Sequence, residues 1–486
     1  MVKSPKSTPA RLPKEAHNRQ QRKQLERHLT SANPGLEVVH RHAAGIDVGN
    51  ASHFVAVPPD RDSQPVREFG CWTADLQRLA DWLKRCGIQT VVMQSTGVYW
   101  VALYDVLEQR GFQVWLVNAR HTKNLPGRKS DVQESQWLMK LHTYGLLRNS
   151  FRAPEAIRGV RTIWRLRARH VVQAGRCVQH MQKALTTMNV QLANVISDIS
   201  GVTGLAILRA ILAGERDPQR LAKLRDLRIR ASQQEIAQSL EGNWRDEVLF
   251  ELQQALDAYQ FWQRQIQECD LRLQSGLAAL PTRVPEPTAS PTPAPGVVAG
   301  SQPRKKKKKL TGNAPRFELE AELHRVCGVN LTRIEGISVM TAQTIVAELG
   351  HDLSRFPTAG HFASWLGLCP SRDVSGGKVV RQEPRHVNSR VATALRIAAS
   401  TLLRSPSFLG AKYRHLRTRL GGAKAIKAMA HYLAVLVYRL LTRGQEWVDR
   451  GIQEYEHKSQ QRTMVHLQRK ATSLGYRLVE LSETPA

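Results

Sequence analysis

The stretch AAGIDVGNASHFVAVPP, residues 43–59, decides the fold class. AAGIDVGN and HFVAVPP are short apolar runs separated by a turn, which predicts two paired strands. VREFGCW (66–72) supplies a third such run. TADLQRLADWLKRCG (73–87) then places Leu76, Leu79, Trp82 and Leu83 at helical spacing. Further on, QTVVMQ predicts a strand and WVALYDVLEQRG a helix ending at Gly111. FQVWLVN (112–118) predicts another strand, and DVQESQWLMKLHTYG (131–145) another helix. A three-strand meander followed by alternating helices and strands is the element order of a ribonuclease H-like fold, one sheet with helices on both sides. The expected α/β domain spans residues 42–150.

Asp47 lies inside the first of these strands, and an acid there is costly to bury unless it is paired or bound to a metal. Gly45 and Gly49 leave room for a backbone or a phosphate to approach closely. The plainer reading is an aspartate capping a turn, and for an isolated GxDxG that reading usually wins. In VVMQSTGVYW (91–100) the strand ends at Gln94, facing the start of a helix. In α/β proteins chemistry collects at such strand ends. Asp131 and Glu134 stand at i, i+3 on one face of a helix start, with Ser130 as the expected N-cap. The helix dipole alone accounts for acids in that turn. Taken together, an acid in the first strand, a polar residue ending the fourth and two acids on the last helix form four corners. They match a ribonuclease H-type two-metal centre, where carboxylates converge on Mg²⁺. The preceding loop, ARHTKNLPGRKS, adds Arg128 and Lys129 as candidate nucleic-acid contacts.

Composition narrows the partner. The chain has 486 residues, with 71 Lys and Arg against 41 Asp and Glu, a net charge of +30. That length predicts two or three domains, and an excess that large points to a polyanion, usually nucleic acid. The six cysteines are scattered, without zinc spacing or a disulfide framework, which fits a reducing cytosol. The N-terminus has no apolar core of the signal-peptide kind. AHYLAVLVYRLL (430–441) is too short for a membrane span and contains Arg439. A soluble cytoplasmic protein without membrane contact is expected.

Residues 1–40 read as a basic, disordered arm. Residues 154–276 carry long helical periodicity, consistent either with a dimerising coiled coil or with an intramolecular helical hairpin. Residues 281–315 read as a Pro-rich linker running into RKKKKK (304–309), and 456–486 as a tail. A helical domain is expected over 316–455. Within it LTRIEGISVMTAQTIVAELG (331–350) turns at Gly336 like a helix–hairpin–helix, a device that holds a phosphate on backbone N–H groups. In RDVSGGKVVRQEPRHVNSR, Ser375 precedes Gly-Gly in a turn rich in Arg372, Lys378, Arg381 and Arg385. A serine attacking a phosphodiester needs such charge around it. A basic glycine turn touching a phosphate is the plainer alternative.

AGIDVGNASHFVAV, VVMQSTGVYW, VWLVNARHTKNLPGRKSDVQESQWL, SDISGVTGLAILRAILAGERDP, RIEGISVMTAQTIVAELGHDLSRFPTAGHFASWLGLCP and SGGK follow one another over about residues 43–450. In order and spacing the chain resembles the insertion-sequence transposases that join a DEDD-type, RuvC-like N-terminal domain to a serine-containing C-terminal transposase domain. Bridge-RNA-guided recombination belongs to that family. The resemblance implies that Asp47, Gln94, Asp131 and Glu134 occupy the four tetrad positions around Mg²⁺. It also implies that Ser375 is the nucleophile joined covalently to DNA. A homo-oligomer, dimer or tetramer, would let Ser375 of one subunit meet the acids of another, with a structured guide RNA as the further partner. Three positions depart from the family pattern. Glu134 replaces an aspartate, Gln94 replaces a glutamate, and Val387 stands where a glycine is usual. The Gln94 departure supports a second reading, a nucleic-acid-binding relative with an impaired metal site. A junction-resolving nuclease ranks last, because it leaves SGGK unexplained.

Overall fold

Strand β1 (Ala43–Val48) pairs antiparallel with β2 (Ser52–Ala56), and β2 pairs antiparallel with β3 (Val66–Gly70). Helix α1 (Thr73–Arg85), β4 (Thr90–Gln94), α2 (Trp100–Gln109), β5 (Gln113–Val117) and α3 (Asp131–Thr143) follow. β4 lies parallel to β1 and β5 parallel to β4, giving the sheet order β3-β2-β1-β4-β5. This mixed sheet with its helices is consistent with a ribonuclease H-like fold. The computed structural model describes residues 36–95, 97–118, 130–284, 313–376, 378–384, 387–444 and part of 461–478; at 371–375 and 381–384 only the backbone is described. The expected basic arm (up to residue 35), the loop with Arg128 and Lys129, the Pro- and Lys-rich linker at 285–312, and most of the tail lie outside the described residues. The chain divides into two units, Met1–Arg152 and Ala153–Ala486.

In the first unit the strands' period-2 pattern serves both faces of the sheet. Ile46, Val48, Val55, Val91 and Met93 face Leu76, Leu79 and Leu83 of α1 and Leu103 and Leu107 of α2. Val92 and Val117 face the other way, onto Trp137, Leu138 and Leu141 of α3. Gly45 makes that second layer feasible. A Cβ added there would lie 2.3 Å from the Met139 backbone N and 2.4 Å from the Ser135 carbonyl oxygen. The backbone that Gly45 admits is therefore that of α3.

The second unit opens with α4 (Glu155–Thr187). The short helices α5 (Leu192–Val195), α6 (Val202–Leu212), α7 (Pro218–Ala222) and α8 (Gln233–Ser239) lead to α9 (Asp246–Ala278). α4 and α9 each have 33 residues and pack against each other within the chain. Val160 lies beside Gly276, Arg167 pairs with Asp270, and His170 stacks on Trp262, so the two helices run antiparallel. The intramolecular helical hairpin expected as one form of this region is thus present within the chain. Its far end is closed by the short helices, with Met181, Leu185, Ile207, Ile211, Leu221, Ile236 and Leu252 in one core.

The chain then forms α10 (Leu319–Cys327), a 3-10 turn at Leu331–Arg333, α11 (Val339–Leu349) and α12 (Ala359–Trp365). β6 (Pro370–Ser375), β7 (Lys378–Pro384), α13 (Arg390–Thr401), α14 (Phe408–Leu420) and α15 (Gly422–Arg443) follow. Three expectations are corrected here. The region expected to be all helical contains an antiparallel hairpin, β6–β7, because Gly376, at φ +56°, turns the chain and lets the flanking residues pair. The first segment of the expected helix–hairpin–helix is a single 3-10 turn, where the Asn330 side chain accepts from the Thr332 N–H. AHYLAVLVYRLL is part of a 22-residue helix, since AKAIKAMA before it is also helix-forming. That helix is long and apolar enough to cross a membrane by length and composition. Its Met429, Leu433, Val437 and Leu440 are buried, and it packs on α12, α13 and α14.

Candidate functional site

At the carboxyl ends of β1 and β4, the sheet register and α3 gather three of the tetrad positions. Ile46 pairs with Met93 in parallel register, so Asp47 and Gln94 are the next positions along two neighbouring strands. By strand alternation both share the face of Gly45 and Val92, the face covered by α3. The start of α3 lies over this corner. Ser130 caps it by accepting from the Gln133 N–H at 3.4 Å, which leaves Asp131 and Glu134 in the first turn. Glu134 reaches inward, and its Oε1 accepts a hydrogen bond from Gln94 Nε2. Gln94 is 1% exposed, Glu134 half-buried and Asp131 exposed.

This contact gives Gln94 a definite electrostatic role. A glutamate in its place would set two carboxylates against each other in a buried corner. The neutral amide instead donates to the carboxylate and adds no second negative charge. The donor set suits Mg²⁺ in type, because carboxylate and amide oxygens are hard ligands. It is a sparse set, of the one or two carboxylates that Mg²⁺ commonly takes while keeping several waters. Among the described residues, no group of three or more His, Cys, Asp or Glu side chains lies close enough to hold a metal ion. One Glu134 oxygen is already occupied by the Gln94 amide, so an ion at this corner would take Asp47 and the other Glu134 oxygen first.

Ser375 belongs to the second unit. It is the last residue of β6 and pairs with Lys378, the first of β7, across the glycine loop. Lys378 is exposed. Arg372 lies in β6 and Arg381 in β7, whereas Arg385 lies outside the described residues. Gly336 has φ +86°, and an added Cβ would lie 3.0 Å from the Ala398 carbonyl oxygen and 3.1 Å from Leu402. Packing against the end of α13 therefore accounts for this glycine without a ligand.

Sequence reasoning missed a cluster around Glu348. Arg165 donates to both of its carboxylate oxygens at 2.8 and 2.6 Å. Arg161 Nε lies 3.0 Å from it, and Arg390 Nε lies 3.8 Å away. Burial pushes the Glu348 carboxyl up, but the Arg165 hydrogen bonds and the charges of Arg161, Arg165 and Arg390 outweigh it and hold the group below its ordinary value. An acid within the apolar run TIVAELG and arginines at i, i+4 in RTIWR were the available signals.

A sheet consistent with a ribonuclease H-like fold, with acids at one corner, is joined in one strongly basic chain to a mainly helical unit. Two family models match this chain: the DEDD transposase model of IS110 over residues 44–190, and the transposase model of the IS116/IS110/IS902 family over residues 314–414. The chain belongs to the IS110 family of insertion-sequence transposases and is a DNA transposase. Among curated proteins, none matches it significantly.

Proposed function

We propose that this transposase cuts and rejoins DNA through a covalent Ser375–DNA intermediate, assisted by Mg²⁺ at the Asp47–Gln94–Glu134 corner. The observation that carries the reading is the position of Ser375. It ends a strand at the tip of a hairpin, directly across from the exposed Lys378. A hairpin tip lets a phosphodiester come up to a hydroxyl without displacing a core, and a lysine beside it offsets negative charge on the phosphoryl oxygens. In the step itself the Ser375 Oγ–P bond forms as the bond from phosphorus to one sugar oxygen breaks. The serine proton leaves to base, and the departing oxygen takes one up. Because one phosphodiester replaces another, the reverse attack by a new DNA hydroxyl rejoins the strand.

Bound Mg²⁺ would supply charge stabilisation for the leaving and attacking oxygens. Asp47 and Glu134 are the residues to hold it, with Asp131 at the rim and the Gln94 amide setting the position of Glu134. Arg128, Lys129, Arg372, Arg381, Arg385 and the turn at Gly336 are proposed contacts to nucleic-acid backbone. As the family resemblance implies, a structured guide RNA chooses the sites, and a homo-oligomer brings Ser375 of one subunit to the acids of another. Purified protein incubated with Mg²⁺, donor DNA and the RNA encoded beside the element should give a covalent protein–DNA adduct. Ser375→Ala should abolish it, and an adduct that persists in that variant would remove the serine from the mechanism.

A further inference from the structure

The Glu348 cluster opens onto a cleft of about 840 Å³ in the second unit. Arg161 and Arg165 come from α4, Glu348 from α11, Trp365 from the end of α12, and Asn388 and Arg390 from the start of α13. The charge does not balance. Three guanidinium groups share one carboxylate, which leaves a surplus of two positive charges. Arg161, Arg165 and Arg390 side chains are 26%, 39% and 51% exposed, whereas Glu348 is 7% exposed. Among the described residues these guanidinium groups make no other side-chain hydrogen bond, so most of their five N–H donors each are left for a ligand. Glu348 acts as a buried strut that fixes three forks around one opening.

We propose that this cleft binds a backbone phosphate of the DNA, as an anchor at the base of the Ser375 hairpin. This rests on the reading of Ser375 as the reacting group. Trp365 lies just before β6 begins, and residues 387–391 lie just after β7 ends, so the cleft is built from both flanks of the hairpin base. β6 runs from there to Ser375, about 17 Å at a strand's rise per residue. That length matches about five nucleotides along one DNA strand. Arginine forks present paired N–H donors that fit phosphate oxygens, and the Trp365 ring and Ile397 supply an apolar wall beside them. A phosphate gripped here would hold the strand in register while a phosphodiester some five nucleotides away lies at the serine.

Binding of the full-length protein to a duplex DNA of about 40 base pairs, and to an RNA duplex of equal length, tests this by fluorescence anisotropy across a salt series. EDTA in the buffer keeps metal chemistry out. Arg390→Gln should weaken DNA binding about tenfold and lower the slope of log affinity against log salt by about 0.9. R390K should restore the slope, and RNA affinity should stay at the wild-type value. Arg161→Gln leaves both Arg165 hydrogen bonds to Glu348 in place and gives the same reading should R390Q fail to fold. DNA affinity and slope unchanged in both variants overturn the proposal. Equal losses on DNA and RNA overturn its assignment to DNA. No chemistry enters the measurement, so a failed adduct assay at Ser375 leaves this result standing on its own.

Discussion

Replacing Gln94 with glutamate puts a carboxyl where the donated amide now stands, and the structure sets what that change does. Gln94 is buried and donates to Glu134, so the new carboxyl meets the Glu134 carboxyl at hydrogen-bond distance. Two full charges roughly 3 Å apart repel by about 5 kcal/mol at an effective dielectric of about 20. Protonating one of them at pH 7 instead costs about 4 kcal/mol, given an ordinary glutamate value near 4.3, and the cheaper route sets the limit. Without metal, the first unit should therefore lose up to about 4 kcal/mol at pH 7. The raised folded-state value fixes the sign. The unfolded chain releases the proton first, so the penalty is absent near pH 4 and grows as pH rises toward the folded value. A divalent ion relieves the same repulsion, so about 10 mM Mg²⁺ should recover most of the loss in Gln94→Glu and shift the wild type much less. Urea unfolding of the first unit, followed at pH 5 and pH 7 with EDTA or Mg²⁺, measures all four states. If Gln94→Glu matches the wild type at pH 7 in EDTA, the Gln94–Glu134 contact is refuted. If the penalty is present but Mg²⁺ does not relieve it, the corner is not a metal site.

Gly45→Ala should unfold or strongly destabilise the first unit, by roughly 3 kcal/mol or more, because its Cβ would overlap the backbone of α3; circular dichroism and limited proteolysis report it. Asp270→Ala should cost roughly 3–5 kcal/mol by leaving Arg167 charged and buried, and joint replacement of both by leucine should recover much of that in thermal melts. His142 is fully buried against Thr90 and His40, and burial pushes its ring down to about 3. The unfolded chain therefore takes up a proton there below the ordinary value of 6.5. The stability it contributes is complete above that pH and drains as pH falls toward 3. His142→Gln should flatten the urea midpoint of the first unit across that window.

The strands and helices of the first unit were legible because period-2 and period-3.6 runs are local signals. The β6–β7 hairpin was harder to read. Its residues are mostly polar and its glycines fit a turn between helices as well as one between strands, so only the pairing distinguishes them. Asp47, Gln94, Asp131 and Glu134 could be named from the resemblance. That Gln94 gives a hydrogen bond to Glu134 could not, since the contact joins residues 40 apart through the packing of α3 on the sheet. The same holds for Arg165 and Glu348, separated by 183 positions. From sequence the GIDVG glycine leaves room for a backbone or a phosphate alike, and the approach of α3 decides between them.

The α4–α9 hairpin also has a metric consequence. From Arg165, tied to Glu348, to Leu185, in the core of the short helices, α4 rises about 30 Å. A helix stiffened by a buried ion pair and an antiparallel partner keeps that length. The number of residues in α4 therefore sets how far the core of the short helices stands from the Glu348 cluster.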